Sequence, residues 1–124
     1  MKSIQQKCVL VVDDQPTVAN ALKMALQFSG YAVQIAENGH EALSLFEPKK
    51  FVLIFTDFEM PGMKGHEFAS IIKARDPNQP IILVTAHGDM VGSMEPLPQV
   101  DMVLCKPCSL DDLRTAISKV LSIS

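Results

Sequence analysis

Five polar residues each stand at the end of a short apolar run: Asp13, Asp14, Asp57, Thr85 and Lys106. Carboxylates in one crevice repel one another, and at least one pKa rises, unless a cation lies among them. Their hard oxygen atoms favour Mg²⁺, which takes one or two carboxylates and otherwise keeps waters and phosphate oxygens. The lysine adds a positive charge and the threonine a hydroxyl donor. Brought together, these groups predict a site for a transferring phosphoryl group.

Asp57 has the most central position among these residues. It follows five consecutive apolar residues at 51–55, a pattern typical of a strand buried on both faces. Met60-Pro61-Gly62 then predicts a turn, so the Asp57 carboxylate is expected at a rigid edge of the core. There it can act as a nucleophile and form an aspartyl phosphate. Asp13 and Asp14 would hold the metal ion, directly or through water.

Apolar strands alternate with helical patterns along the chain, which predicts a parallel sheet with helices on both faces. The strands are predicted at 8–12, 31–36, 51–55, 80–84 and 102–105. Helices are predicted from Pro16, from the N-cap residue Asn38 to a stop at Pro48, after Gly65, and from Ser109, where Asp112 nearly completes a capping box. Parallel sheets bind ligands beyond the carboxyl ends of their strands, which is where the five polar residues stand.

The segment between Thr85 and Met102 is the exception to this alternation. Two glycines and two prolines interrupt it, at Gly88, Gly92, Pro96 and Pro98. A helix there would hold a turn or two and break at Pro96. The fourth helix of the pattern is therefore expected to be short or irregular.

Length and composition limit the class of protein. A chain of 124 residues is ordinarily one domain and can bury a core without a disulfide. The net charge of −3, without a block of Lys or Arg, argues against nucleic acid as a partner. No apolar run approaches the roughly 20 residues of a membrane span. Three cysteines fit reduced thiols, so a cytoplasmic protein is expected.

Four motifs occur in a fixed order: Val-Leu-Val-Val-Asp-Asp at 9–14, Thr-Asp-Phe-Glu-Met-Pro-Gly at 56–62, Val-Thr-Ala at 84–86 and Lys-Pro at 106–107. Each is weak alone, but in this order and at these separations they resemble the receiver (CheY-like) domain of two-component response regulators. The resemblance covers essentially the whole chain, so a single receiver domain is expected over 1–124. It implies a flavodoxin-like, doubly wound α/β fold with a five-stranded parallel sheet in the order 2-1-3-4-5.

The resemblance also assigns roles to the polar residues. It implies that a phosphohistidine on a sensor histidine kinase or histidine phosphotransfer protein phosphorylates Asp57, and that an unknown downstream protein responds. Thr85 and Lys106 would hold the phosphoryl oxygens, and the Lys106–Pro107 bond would be cis. Such a domain is a signalling receiver and not an enzyme that turns over a substrate.

The resemblance implies a metal site as well. Mg²⁺ (or Mn²⁺) would be bound by three carboxylates and one backbone carbonyl, from Asp13, Asp14, Asp57 and Glu59. The side chains of Glu59 and His87 stand two positions past Asp57 and Thr85, where family members vary and tune the lifetime of the phosphoryl group. Both are therefore expected to modulate autodephosphorylation.

The sequence departs from the family at Val103, where receivers usually carry Tyr or Phe as the partner of the threonine. Together with the broken fourth helix, this departure argues for signalling through another face, so dimerisation stays open. The sequence leaves equally open a stand-alone receiver and a receiver cut from a longer regulator or hybrid kinase.

Two other classes of function remain alternatives. Cys105 and Cys108 form a C-x-x-C pair, which in an α/β protein can mark a thiol redox site, and with His87 they would give an incomplete zinc site. The aspartates also suit a phosphatase with an aspartyl nucleophile, although such enzymes of the haloacid dehalogenase type carry a second aspartate where Glu59 stands.

Overall fold

A five-stranded parallel sheet forms the centre of the protein, in a computed structural model that describes residues 7–86, 100–106 and 109–123. The elements are β1 (Cys8–Val12), α1 (Pro16–Phe28), β2 (Ala32–Ala36), α2 (Gly39–Leu45), β3 (Leu53–Asp57), α3 (Gly65–Arg75), β4 (Ile81–Thr85), β5 (Met102–Cys105) and α4 (Leu110–Ile123). The strands lie in the order β2-β1-β3-β4-β5, which confirms the predicted flavodoxin-like sheet.

Two apolar layers hold the helices against the sheet. One contains residues of α1 and α4 together with alternate residues of the central strands, among them Leu26, Phe55 and Val120. The other contains residues of α2 and α3 with the remaining strand residues, among them Ile54 and Phe68. Because helices cover both faces, every residue of β3 and β4 is buried, as their unbroken apolar runs predicted.

The third strand lies two residues later than its hydrophobic pattern predicted. Phe51 is buried but precedes the strand, which continues through Thr56 and Asp57. Thr56 pairs with Val12 on one side, and Asp57 pairs with Val84 on the other. Pairing with two neighbours therefore decides where β3 ends, and it makes Asp57 the last residue of a fully buried strand.

Side chains cap two helices as the sequence predicted. The Asn38 Oδ1 atom accepts a hydrogen bond of 2.8 Å from the backbone N–H of Glu41 at the start of α2. At α4, Asp112 N–H donates to Ser109 Oγ and Ser109 N–H donates to Asp112 Oδ2, both at 3.0 Å. This reciprocal pair is a capping box, which satisfies two backbone donors of the first turn.

Several predictions concern residues outside the described ranges. The short or irregular helix predicted between β4 and β5, which is not α4, falls within 87–99 and so outside the described residues. His87, Pro107 and Cys108 also lie outside them. These predictions therefore stay predictions. Among the helices that the structure describes, none is long and apolar enough to cross a membrane.

Candidate functional site

The carboxyl ends of β1 and β3 bring three aspartates together. One carboxylate oxygen from each of Asp13, Asp14 and Asp57 lies within 4.8 Å of the others. Asp13 and Asp57 are buried, at 3% and 7% exposed, whereas Asp14 is exposed to solvent. Three carboxylates at this separation, two of them withdrawn from water, suit a hard divalent cation such as Mg²⁺. The acidic cluster predicted from sequence is therefore present and fits the metal.

Backbone contacts fix the position of Asp13. Its N–H donates to the carbonyl of Ala36 at the end of β2, at 3.0 Å. Its Oδ1 atom accepts a hydrogen bond of 2.9 Å from the N–H of Gln15, which turns the chain toward α1. The second carboxylate oxygen, Oδ2, faces Lys106.

Lys106 bridges the two buried carboxylates. Its Nζ atom lies 3.1 Å from Asp57 Oδ1 and 3.3 Å from Asp13 Oδ2. Its backbone N–H donates to the carbonyl of Thr85 at 2.8 Å, so the lysine leaves β5 directly beside the end of β4. Only 19% of its side chain is exposed, which strengthens the attraction between the ammonium and the carboxylates.

The pKa directions agree with this geometry. Burial raises the pKa of Asp57; the Lys106 ammonium opposes the shift, and the charges of Asp13 and Asp14 add to it. Burial alone would lower the pKa of Lys106, but the charges of Asp57 and Asp13 outweigh it and raise the pKa. The lysine is therefore a firmly held cation, and the Asp57 carboxylate is destabilised in its charged form.

The raised Asp57 pKa predicts a specific pH dependence of stability. The folded state binds the Asp57 proton more tightly than the unfolded state, whose pKa is near 3.8, so protonation of Asp57 stabilises the fold. This stabilisation is lost as pH rises through the pKa of the folded state. In metal-free buffer, the stability gap between Asp57→Asn and the wild type should therefore widen in favour of the variant as pH rises above about 4. Urea unfolding with EDTA measures the gap, and a gap that is constant with pH would contradict the prediction.

Thr85 is the last residue of β4 and is almost completely buried, at 1% exposed. The preceding residue, Val84, pairs with Asp57, and Thr85 itself pairs with Cys105 of β5. The backbone of Thr85 therefore lies between the strand ends that carry Asp57 and Lys106, as predicted. The role of its hydroxyl stays a prediction.

The partner of the Glu59 side chain was not predictable from the sequence. Lys64 Nζ lies 2.8 Å from Glu59 Oε1, and this hydrogen bond with the Glu59 charge raises the pKa of Lys64. The ion pair joins the two ends of the loop that follows Asp57, and both side chains are about half exposed. The modulating role of Glu59 and the use of its carbonyl as a metal ligand stay predictions.

Gly65 is a second residue of the site that sequence reasoning missed, since the sequence pattern marks it only as the residue before a predicted helix. It begins α3, and its N–H donates to the carbonyl of Phe58 at 2.9 Å. A Cβ atom at this position would collide with the backbone oxygen of Asp57 and lie 2.8 Å from Leu83 Cδ1. A glycine in the first turn of a helical pattern, where glycine is less favourable than most residues, was the available signal.

Two of the remaining predicted residues, Val103 and Cys105, lie on β5. Val103 pairs with Leu83 and is 36% exposed, so its proposed effect on signalling stays a prediction. Cys105 is exposed. The third cysteine, Cys8, lies at the opposite end of the sheet, where burial raises its thiol pKa against the charge of Lys50. Cys108, the other member of the C-x-x-C pair, lies outside the described residues, so the geometry of that pair stays untested.

Comparison with known families agrees with the geometry. The family model described as the response regulator receiver domain matches residues 9–118. The transcriptional regulatory protein GlrR of Escherichia coli is 34% identical over 117 residues, and the DNA-binding transcriptional regulator NtrC of Salmonella typhimurium is 32% identical over 120. These matches cover 94% and 96% of this chain. The chain spans only about a quarter, 26%, of each relative.

Solved structures show the same arrangement of elements. A response regulator receiver domain protein from Clostridium thermocellum has a TM-score of 0.85 and 27% identity, and the match covers 94% of this chain and 95% of that one. The response regulator TrrA from Thermotoga maritima, solved with Mg²⁺ and BeF, has a TM-score of 0.82 and 35% identity. That match covers 94% of this chain and 100% of TrrA.

Proposed function

This chain belongs to the response regulator receiver domain family and is a phosphoacceptor module of two-component signalling, and we propose that Asp57 is the side chain that takes the phosphoryl group. The observation that carries the proposal is the bridge made by Lys106. A half-buried ammonium contacts the buried carboxylate of Asp57 and that of Asp13 at once. Such a centre has the charges to bind a small anion beside a nucleophilic carboxylate.

The transfer that we propose is an in-line displacement at phosphorus. An oxygen of Asp57 forms the new P–O bond, the P–N bond of the donor phosphohistidine breaks, and its electron pair stays on the imidazole nitrogen. Lys106 and the hydroxyl of Thr85 would donate hydrogen bonds to the phosphoryl oxygens, and the Lys106 ammonium contacts the Asp57 carboxylate before the reaction. Asp57 itself becomes the product, so the chain accepts a phosphoryl group and catalyses no turnover of an external substrate.

The acidic cluster is the proposed metal site. Carboxylates of Asp13, Asp14 and Asp57, with the backbone carbonyl of Glu59, would bind Mg²⁺ (or Mn²⁺). A bound divalent cation supplies positive charge for the oxygens of the phosphoryl group. TrrA, solved with Mg²⁺ and BeF, supports the choice of metal through its similarity to this chain.

Receiver domains exchange signals with histidine kinases and downstream effectors. For this chain we propose a sensor histidine kinase or a histidine phosphotransfer protein as the donor, and an effector still to be identified. GlrR and NtrC are transcriptional regulators about four times as long as the matched region, so their output is no guide to the output of this chain. The net charge of −3 supports a receiver that does not itself bind nucleic acid. One receiver domain over 1–124 and a cytoplasmic location stay predictions.

The intact mass of the protein tests the proposal. After incubation with acetyl phosphate and Mg²⁺, the wild type should gain the mass of one phosphoryl group, and Asp57→Ala should gain none. Asp111→Ala, which removes an exposed aspartate from the first turn of α4, is the matched control and should gain as much as the wild type. An unchanged wild-type mass with acetyl phosphate and with phosphohistidine donors, or equal gain in Asp57→Ala, would refute it.

A further inference from the structure

A lysine on α3 and an aspartate before β5 connect three backbone segments at the amino ends of β4 and β5. Lys73 Nζ donates to Asp101 Oδ2 at 3.0 Å and to the carbonyl of Gln79 at 2.6 Å. The same Asp101 oxygen accepts the N–H of Ile81 at 2.8 Å, and the N–H of Asp101 donates to the carbonyl of Ile81, also at 2.8 Å. We call Lys73 and Asp101 the β4–β5 clamp.

Within the described residues, the strand that this clamp holds is less enclosed than its neighbour β4. β5 has four residues and forms one edge of the described sheet, paired with β4. Its residues alternate between partly buried and exposed, whereas every residue of β4 is buried. Met102 and Leu104 pack only partly buried against the core. The position of β5 is therefore set by its pairing with β4 and by the hydrogen bonds at its two ends.

The two ends of β5 serve different tasks. Asp101, at the start, belongs to the clamp, and Lys106, at the finish, contacts Asp57 and Asp13. The four residues of β5 separate them, so a displacement at the start carries along the strand to the lysine. Lys73 adds a connection to α3, whose first residue, Gly65, lies against the backbone of Asp57.

We propose that Lys73 and Asp101 are positioning residues that set the distance between the Lys106 ammonium and the two buried carboxylates. This inference rests on the proposed function, since it deepens the account of the same site. Lys73 and Asp101 touch no reacting atom and act through the placement of β5. Without the clamp, the ammonium spends less time within hydrogen-bonding distance of Asp57 and Asp13.

Mg²⁺ binding distinguishes this role from a general loosening of the fold. The ammonium and the cation are attracted to the same carboxylates and repel each other, so a displaced ammonium lets Mg²⁺ bind more tightly. A general loosening would scatter the three aspartates and weaken Mg²⁺ binding. The sign of the change in Mg²⁺ affinity is therefore the decisive readout, and it does not depend on phosphorylation.

The test compares Asp101→Ala and Lys73→Met with two controls. Lys73→Arg keeps the positive charge, and Arg75→Met removes a neighbouring cation of α3 that bonds to Leu43 and not to β5. The clamp variants should be phosphorylated by acetyl phosphate about 10-fold more slowly, because misplaced catalytic groups are costly. Calorimetry should show Mg²⁺ binding about 3-fold tighter, a modest relief of repulsion at a partly hydrated site. Lys73→Arg should recover most of the rate, and Arg75→Met should match the wild type.

A double-mutant cycle tests whether the β4–β5 clamp and Lys106 act through the same step. If the clamp acts through Lys106, Asp101→Ala should change neither the rate nor the Mg²⁺ affinity further in a Lys106→Met background. Additive losses, or weaker Mg²⁺ binding in the clamp variants, would overturn the inference. If Asp101→Ala fails to fold, Asp101→Asn carries the test, because it keeps an acceptor for Ile81 and removes the charge facing Lys73. A phosphorylated wild type with unaffected clamp variants would refute the clamp alone, whereas a wild type that accepts no phosphoryl group would refute the proposed function.

Discussion

Replacing Gly65 by alanine is expected to lower the free energy of unfolding by about 3 kcal/mol, the upper range for one methyl group forced into a packed site. The added Cβ would collide with the carbonyl oxygen of Asp57 and lie 2.8 Å from Leu83 Cδ1 and 3.0 Å from Phe58 Cα. Two of these three atoms belong to the backbone and cannot rotate away. The amino end of α3 must therefore move away from β3.

Such a movement also changes the site, because it acts on the residue that we propose as the phosphoacceptor. The carbonyl of Asp57 and its carboxylate belong to one residue at the end of a rigid strand. A displacement of the backbone there changes the distance between the carboxylate and Lys106. Gly65→Ala should therefore slow phosphorylation by acetyl phosphate by about 10-fold even in the molecules that fold, since small misplacements reduce transfer rates strongly.

Gly62→Ala is the matched control for Gly65→Ala. Gly62 lies in the same loop with a φ angle of +83°, and a Cβ atom there would meet nothing within 4 Å. Its replacement costs only the strain of a positive φ, about 1 kcal/mol, without a collision near Asp57. Urea unfolding and acetyl phosphate kinetics compare the two variants. Equal stability losses would show that the close approach of Gly65 to Asp57 contributes little, because Gly65, unlike Gly62, does not have a positive φ angle.

The parts of the fold that the sequence predicted well are those set by burial. Unbroken apolar runs located β1 and β4 because both faces of these strands are covered by helices. The rule that ligands lie beyond the carboxyl ends of parallel strands then brought Asp57 and Lys106 together from positions 49 residues apart. Helix capping was also predicted correctly, because Asn38 and Ser109 cap their helices through contacts within three residues.

The parts that escaped prediction depend on contacts between distant segments. The true end of β3 follows from its pairing with two neighbours, which hydrophobicity does not report. Lys73 and Asp101 meet across 28 residues, and as single charged residues they carry no periodic signal. The need for glycine at position 65 escapes prediction because only coordinates reveal the backbone oxygen that lies where a side chain would project.

Replacing Lys106 by methionine is expected to slow phosphorylation of Asp57 by about 100-fold or more, the usual cost of removing one preorganised charge from a transferring group. The variant should also lose stability in the absence of metal. It leaves Asp13 and Asp57, at 3% and 7% exposed, without the cation that bridges them. Unpaired buried charges are costly, but water reaches the partly exposed lysine side, so a loss of about 2 kcal/mol is expected.

Mg²⁺ should offset the loss of stability in Lys106→Met but not the loss of phosphorylation rate. The cation binds the carboxylates that Lys106 no longer neutralises, so saturating Mg²⁺ should stabilise Lys106→Met more than it stabilises the wild type, through preferential binding to the folded state. The phosphorylation rate should stay low, because Mg²⁺ does not replace the hydrogen bonds that we assign to the ammonium. Stability with and without Mg²⁺, measured by urea unfolding, separates the two roles of the lysine.

Lys64→Met provides the matched control for stability, since Lys64 also pairs with a carboxylate of this loop but at an exposed position. Its side chain is 47% exposed and that of Glu59 is 50% exposed, against 19% for Lys106 and 8% for Asp57. Loss of the exposed pair should therefore destabilise the metal-free protein much less than loss of the Lys106 ammonium does. If Lys64→Met and Lys106→Met destabilise the metal-free protein equally, burial of the carboxylates cannot be the source of the lysine's effect. The charge arrangement that we propose for phosphoryl transfer would then lose its physical basis.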